Sequence, residues 1–424
     1  MSKLMKSWVE SANTATTEFP LNNLPYGVFS TGDEEPRCGV AIGDMILDVA
    51  MLEEEGIIAL DDYAILDMPF WNELMDLGRE KWAAFRARLI DLLKEGGDDA
   101  VSGDADLLAR ALVPMEDATL HMPFAVSEYT DFYAGMQHAK NMGAILRGSP
   151  DLPANWLHIP IGYNGRASSV VVSGTDIHRP NGQTKAPDAD IPSFGPSKRL
   201  DIELELGAVV GTGSTLGQPI TVDEADDMIF GYVLLNDWSA RDIQGWEYQP
   251  LGPFQGKAFG TTISPWIVTA EALEEFRAPT PAREKELLPY LDGSKDGLYD
   301  ITLEVLMQPE GAAKASSIAQ TNYNRMYYSA AEQLCHHASG GCEMNGGDLL
   351  GSGTISGAEK SEFGSLMELS WAGREPFTLE TGETRGFIED GDTLTLRGHA
   401  QGDGFKIGFG DCVGKILPAV KHPK

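Results

Sequence analysis

Thiols, imidazoles and basic side chains are all scarce in this chain. Four cysteines, Cys38, Cys335, Cys342 and Cys412, are scattered through 424 residues. They are too few and too far apart for a disulfide framework, so free thiols in a reducing compartment are expected. Lys and Arg number 32 against 64 Asp and Glu, a formal charge of −32. Such a surface repels nucleic acid and anionic membranes, so neither is expected as a partner. Solubility or a salty habitat accounts for the acid excess more simply than an acidic recognition surface. No apolar run of about 18 residues occurs, which argues against a transmembrane helix. The opening residues 1–8 lead into polar sequence without an apolar h-region, so no signal peptide is expected and a soluble, cytoplasmic protein is. Internal repeats and low-complexity tracts are missing. Regular βα alternation is missing too, which argues against a Rossmann sheet or a TIM barrel.

What is present suits a folded chain of two or three domains: 42% hydrophobic residues and an ordinary 23% charged. The first 120 or so residues read differently from the rest. Short β-like runs at 26–30 and 38–49 precede a helical segment over 71–94, where Trp82, Phe85, Leu89 and Leu92 recur at helical spacing and Gly96-Gly97 stops it. The expected division is 1–120 and 121–424. The second part is rich in glycine and short strands. Asn164-Gly165 between 157–163 and 168–173 predicts a hairpin. Further strands are expected at 200–210, 229–235, 301–307, 365–371 and 393–398, with helices at 131–146, 239–246 and 330–337. The expected fold class is mostly β with some α, antiparallel or mixed.

Several acids stand where chemistry could use them. Apolar residues fill every even position of 200–206, so Glu203 and Glu205 share one strand face. Like charges at that spacing repel unless solvated or bridged by a cation. Asp237 follows the apolar run 231–235, at the end of a buried strand, where an acid is costly unless paired or cation-bound. Arg241, Gln244 and Tyr248 fall at i, i+3 and i+7, one helix face suited to carbonyl or carboxylate oxygens, or else a solvated face. Asp131 and His138 lie seven apart. In a helix they project from one side, and with eight histidines in the chain an acid-aligned His is a candidate base, or simply a packed residue. Glu368 interrupts an apolar strand-like run and is either enclosed or on an edge. Cys335-His336-His337 with Cys342 looks like a zinc cluster, but its spacing matches no usual finger, and packed residues at a helix end are the simpler reading. Gly211 to Gly217 has the flavour of a dinucleotide loop with its spacing off by one, and reads as a turn.

Together these segments resemble the fumarylacetoacetate hydrolase family. The resemblance is carried by Asn23-Leu24-Pro25-Tyr26-Gly27-Val28-Phe29-Ser30, by Asp131-Phe132-Tyr133 with His138, and by Tyr163-Asn164-Gly165-Arg166-Ala167-Ser168-Ser169. The longest block runs from Asn236-Asp237-Trp238-Ser239-Ala240-Arg241-Asp242-Ile243-Gln244 through Gly252-Pro253-Phe254 and Lys257 to Ser264-Pro265-Trp266. Ser352-Gly353-Thr354-Ile355-Ser356-Gly357 and Gln401-Gly402-Asp403-Gly404 complete it.

The resemblance implies a small SH3-like β domain followed by a larger mixed β-roll, and a homodimer. It implies that Asp131, Glu203, Glu205 and Asp237 bind Ca²⁺ or Mg²⁺, and that Lys257 and Thr261 belong to a second, Mg²⁺ site sharing Asp237. His138 and Glu368 match the family's catalytic pair, and Arg241, Gln244 and Lys257 its stabilisers of a leaving carbanion. Tyr133, Arg147, Tyr163, Gln244, Tyr248 and Thr354 match contacts to a small diketone substrate. The implied reaction is hydrolysis of a carbon–carbon bond of 4-fumarylacetoacetate, the last step of tyrosine and phenylalanine breakdown. The rival readings are an acylpyruvate hydrolase or oxaloacetate decarboxylase of the same fold, and a non-catalytic metal-binding scaffold. The separate N-terminal part and the His138–Glu368 pair argue against the first, and the intact set of acids, base and cations against the second.

Overall fold

A computed structural model describes residues 3–423. The short β runs near the start form a five-stranded antiparallel sheet in the order Leu112–Pro114, Met45–Asp48, Arg37–Ile42, Tyr26–Thr31, Ala118–His121. The single helix expected over 71–94 is two: Asn72–Asp76 and Arg79–Leu93. The break falls at Gly78, whose φ of +83° is left-handed and costs glycine little. Beyond it Trp82, Phe85, Leu89 and Leu92 face the core as the spacing predicts.

The larger part is built on a mixed eight-stranded sheet. Along it the order is Gly162–Asn164, Tyr129–Phe132, Leu349–Gly351, Leu204–Val210, Ile229–Asp237, Thr261–Ile263, Val170–Val172, with Val268–Thr269 also pairing onto Ile229–Asp237. Both faces are covered. Leu204, Leu206, Ala208 and Val210 join the core of the larger part, whereas Val209, Val233, Leu235 and Ile263 pack with Val28, Trp71, Phe85 and Leu89 of the N-terminal part. Strand alternation therefore sends Glu205 and Asp237 out on the face that meets the N-terminal part. Asp131 projects there too, two residues from Tyr129 of the same core. A second, six-stranded sheet, including Thr302–Gln308 and Thr393–Gln401, buries one face in strict alternation. The expected class, mostly β with a small N-terminal β unit and a larger mixed β-roll, is the one observed.

Four local expectations are corrected. The strand over 200–210 is interrupted: Leu200–Asp201 pairs with Ser239–Ala240, and only Leu204–Val210 enters the large sheet. At the break, backbone amides turn to side chains, Ile202 N–H to Asp201 (2.8 Å) and Glu203 N–H to Asn236 (3.3 Å). The hairpin at Asn164-Gly165 does not form. Gly162–Asn164 pairs with Tyr129–Phe132 and Val170–Val172 with Thr261–Ile263, at opposite ends of the sheet. Asp131 lies in a strand, and the helix begins only at Met136, because Tyr129–Phe132 gains two neighbouring strands that outweigh its local helical pattern. Glu368 lies in the helical turn Leu366–Leu369, N-capped by Ser365, and not in a strand.

Candidate active site

Asp131, Glu203, Glu205 and Asp237 converge although they come from three strands and a break between strands. One oxygen of each lies within 4.8 Å of the others, and all four residues are buried. The pairing register explains the gathering: Gly351 stands opposite Asp131 on one side and Gly207 on the other, while Glu205 and Asp237 occupy the same ends of the two central strands. Gly351 has to be a glycine. A Cβ there would sit 2.8 Å from Asp131 Oδ1 and 2.9 Å from Glu205 Oε2. Asp131 Oδ1, Glu205 Oε1 and Asp237 Oδ1 are buried without a hydrogen-bond partner. Three unpartnered acceptor oxygens crowded together, with neither thiolate nor imidazole among them, fit a hard divalent cation. Burial, reinforced by the neighbouring acids, raises the carboxyls of Asp131, Glu205 and Asp237 above their ordinary range. Burial pushes Glu203 the same way, but Lys257, Arg241 and His138 outweigh it and hold Glu203 well below that range.

Two buried cations border the cluster. Lys257 Nζ contacts Glu203 Oε2 and lies 2.5 Å from Asp237 Oδ2. Arg241 Nη1 lies 2.7 Å from Glu203 Oε1, and its Nη2 is buried with no partner. On the remaining side stands His138, in the helix Met136–Arg147. Its Nδ1 is 2.7 Å from Glu368 Oε2, and its Nε2 faces Glu203 Oε1 at 3.9 Å. Glu368 is fully buried and also accepts from Asn141 Nδ2 (2.7 Å), Ser365 Oγ (2.8 Å) and Ser356 Oγ (3.0 Å). These partners, His138 foremost, overcome the effect of burial and lower its pKa. An ionised Glu368 accepts the Nδ1 proton, which leaves the Nε2 lone pair aimed into the cluster.

The other expected residues are placed unevenly. Tyr163 donates to Asp237 Oδ2 at 3.0 Å, and Tyr133 meets the His138 ring edge-on with centroids 5.5 Å apart. Thr354 is buried with an unpartnered hydroxyl. Thr261 is buried opposite Asp237 in register. Gln244 approaches Arg241 Nη1 at 3.4 Å through Oε1. Arg147 is exposed at the helix end and donates to the Asp151 carbonyl, and Tyr248 is 48% exposed, its hydroxyl bonded to Gln249. No direct contact joins these last two to the carboxylates. The zinc-like segment stays apart: buried Cys335 donates to the carbonyls of Ile220 and Tyr290, and Cys342 is exposed. Sequence reasoning missed Asp201, Asn141, Ser356 and Ser365, which surround the pair His138–Glu368 and Arg241. Asp201 alone carried a signal, as an acid within the alternating run 200–206, on the face of Glu203 and Glu205.

Residues 128–416 match the family model described as fumarylacetoacetate (FAA) hydrolase C-terminal, and residues 22–123 that described as fumarylacetoacetase N-terminal. Fumarylacetoacetase of Rattus norvegicus is 48% identical over 408 residues, 95% of this chain and 97% of the relative. That of Arabidopsis thaliana is 46% identical over 422 residues, 98% of this chain and 99% of the relative. Among solved structures, a putative HpcE protein from Mycobacterium smegmatis shares the fold with a TM-score of 0.54 at 18% identity, covering 93% of this chain and 99% of that one. Cg1458 with inhibitor does so with a TM-score of 0.52 at 13% identity, covering 93% and 100%.

Proposed function

The chain belongs to the fumarylacetoacetate hydrolase family, and from that premise we propose how its residues hydrolyse a carbon–carbon bond of 4-fumarylacetoacetate to give fumarate and acetoacetate. The observation that carries the reading is the His138–Glu368 pair, 2.7 Å apart, whose free imidazole nitrogen faces the four-carboxylate cluster. In this reading Glu368 holds the ring and its tautomer, and His138 Nε2 takes a proton from water as the water oxygen adds to the carbonyl carbon beside the fumaryl group. The adduct collapses with cleavage of the carbon–carbon bond. The electron pair leaves on the acetoacetate carbon, spread into an enolate, whose negative charge Arg241, Gln244 and Lys257 offset. The proton held by His138 returns to that carbon, so one water is consumed and the base is restored. Tyr133, Arg147, Tyr163, Gln244, Tyr248 and Thr354 contact the substrate.

Asp131, Glu203, Glu205 and Asp237 would hold Ca²⁺, with Mg²⁺ the alternative, and such an ion would bind and polarise the diketone oxygens. A second Mg²⁺ would share Asp237 with Lys257 and Thr261. A protonated ammonium cannot ligate it, so Lys257 would serve through its backbone oxygen. We place residues 1–120 as an N-terminal unit and 121–424 as the catalytic one, in a cytoplasmic homodimer that closes tyrosine and phenylalanine catabolism. The test is loss of fumarylacetoacetate absorbance with purified protein, with and without chelator. Turnover should stop with chelator and return with Ca²⁺ or Mg²⁺. His138→Ala should lower kcat by roughly 10² to 10⁴ with metal content unchanged, and a near-normal rate would end the general-base assignment.

A further inference from the structure

Asp201 has no role in the scheme above, yet it touches both halves of the machinery. It is fully buried, and its two oxygens accept four hydrogen bonds. Oδ1 takes Ile202 N–H (2.8 Å) and Leu366 N–H (2.7 Å); Oδ2 takes Met367 N–H (3.0 Å) and Arg241 Nε (2.8 Å). Leu366 and Met367 open the turn Leu366–Leu369 that carries Glu368, and Glu368 holds His138 at 2.7 Å. At the other end, Arg241 Nη1 reaches Glu203 at 2.7 Å. One carboxylate thus joins the base-orienting turn to the guanidinium bordering the carboxylate cluster, across more than 160 residues of chain.

We infer that Asp201 is a positioning residue that locks the His138–Glu368 pair and Arg241 into one unit, so that the proton-accepting and charge-offsetting groups keep a fixed separation. Two simpler needs do not account for it. The turn already has its cap, since Ser365 Oγ accepts from Glu368 N–H at 3.3 Å, and Arg241 already has a counter-charge in Glu203. What neither of those supplies is a bond between the two, which Asp201 makes in a fully desolvated setting where small displacements are resisted.

The inference rests on the proposed roles of His138, Glu368 and Arg241, and its test separates the two. Asp201→Asn keeps the volume but turns one oxygen into a donor, which must face either Arg241 Nε or a backbone N–H. The expected result is a kcat lowered by about tenfold to a hundredfold with KM little changed, the cost of a small misplacement. Arg241→Lys, which cannot keep both contacts, should combine with Asp201→Asn less than multiplicatively. Full multiplicativity would overturn the inference and leave Asp201 a structural residue. Should Asp201→Asn not fold, Arg241→Lys alone carries the test. Hydrogen exchange at the Leu366 and Met367 amides must then quicken, and unchanged exchange overturns the inference. Exchange is read without turnover, so it stands apart from failure of the catalytic roles, which full activity of His138→Ala would reveal instead.

Discussion

Lys257 spends its charge twice, on Glu203 and on Asp237. Burial disfavours its ammonium, but Asp237 and then Glu203 more than restore it and carry its pKa above the ordinary lysine value. A lysine in that state stays protonated at any working pH and acts as a fixed cation, not as a base. Lys257→Met should therefore lower kcat by about 10² or more, as removal of a preorganised charge donor does, with a much smaller change in KM. Steady-state kinetics check this, and an effect confined to KM would rule out leaving-group stabilisation. Glu203 is the natural contrast. It is the one cluster acid held ionised by cations in the absence of a metal, and it touches Lys257, Arg241 and, at 3.9 Å, His138. Glu203→Gln should reduce bound metal and turnover together, and metal analysis showing full content would contradict its part in ion binding.

Elements, not single residues, decide which acids meet. The meeting depends on Leu349–Gly351 passing between Tyr129–Phe132 and Leu204–Val210 with no side chain at its last position. Gly351→Ala would push a methyl against Asp131 Oδ1 and Glu205 Oε2, both under 3.0 Å from it. The expected outcome is far-UV circular dichroism close to the parent with divalent-cation binding weakened tenfold or more, read by calorimetry; retained affinity would mean that the two acids do not hold the ion. The same element logic says what could be read from sequence. Alternation along 200–206 puts Glu205 on the right face, and the apolar run before Asp237 announces its burial, because both signals are local. The seven-residue spacing of Asp131 and His138 suggests a shared helix face, whereas the two come from a strand and a helix whose meeting is tertiary. The apolar run around Glu368 leaves open whether it is enclosed or on an edge, because three of its four side-chain partners, His138, Asn141 and Ser356, are not sequence neighbours. Asp201 shows its strand-face position locally, but the partners that give it a role, Arg241 and the Leu366 amide, lie 40 and 165 residues away. The strands at 200–210, 229–235, 301–307 and 393–398 could be placed within a few residues, but their order in the sheets could not, since the pairing of 129–132 with 349–351 spans about half the chain.

At the scale of the whole molecule, the buried acids and the surface charge both bear on how stability depends on pH. A carboxyl whose folded pKa is raised binds its proton more tightly folded than unfolded. Its favourable contribution is present below the unfolded value, about 4, and is lost as pH rises through the folded pKa. Asp131, Glu205 and Asp237 are of this kind. Glu203 and Glu368 are of the opposite kind: their contribution is fully present above the unfolded value and is lost only as pH falls towards their depressed pKa values. Above the unfolded value the second pair has nothing more to give, while each of the first three goes on losing until pH passes its own folded pKa, so in metal-free protein the cluster's contribution to Tm should fall as pH rises. The formal charge of −32 pushes the same way through self-repulsion, but that part is screened at high salt and the buried part is not. The decisive measurement is therefore thermal unfolding in high salt, with chelator and with saturating Ca²⁺. An ion that binds only ionised acids of the folded state adds about 2.7 kcal/mol at a hundredfold excess over Kd, and its advantage must widen with pH as the competing protons leave. A gap between the two curves that stayed constant from pH 5 to 8 would mean that the cluster is already ionised without metal, and the crowding of unpartnered oxygens would then need another explanation.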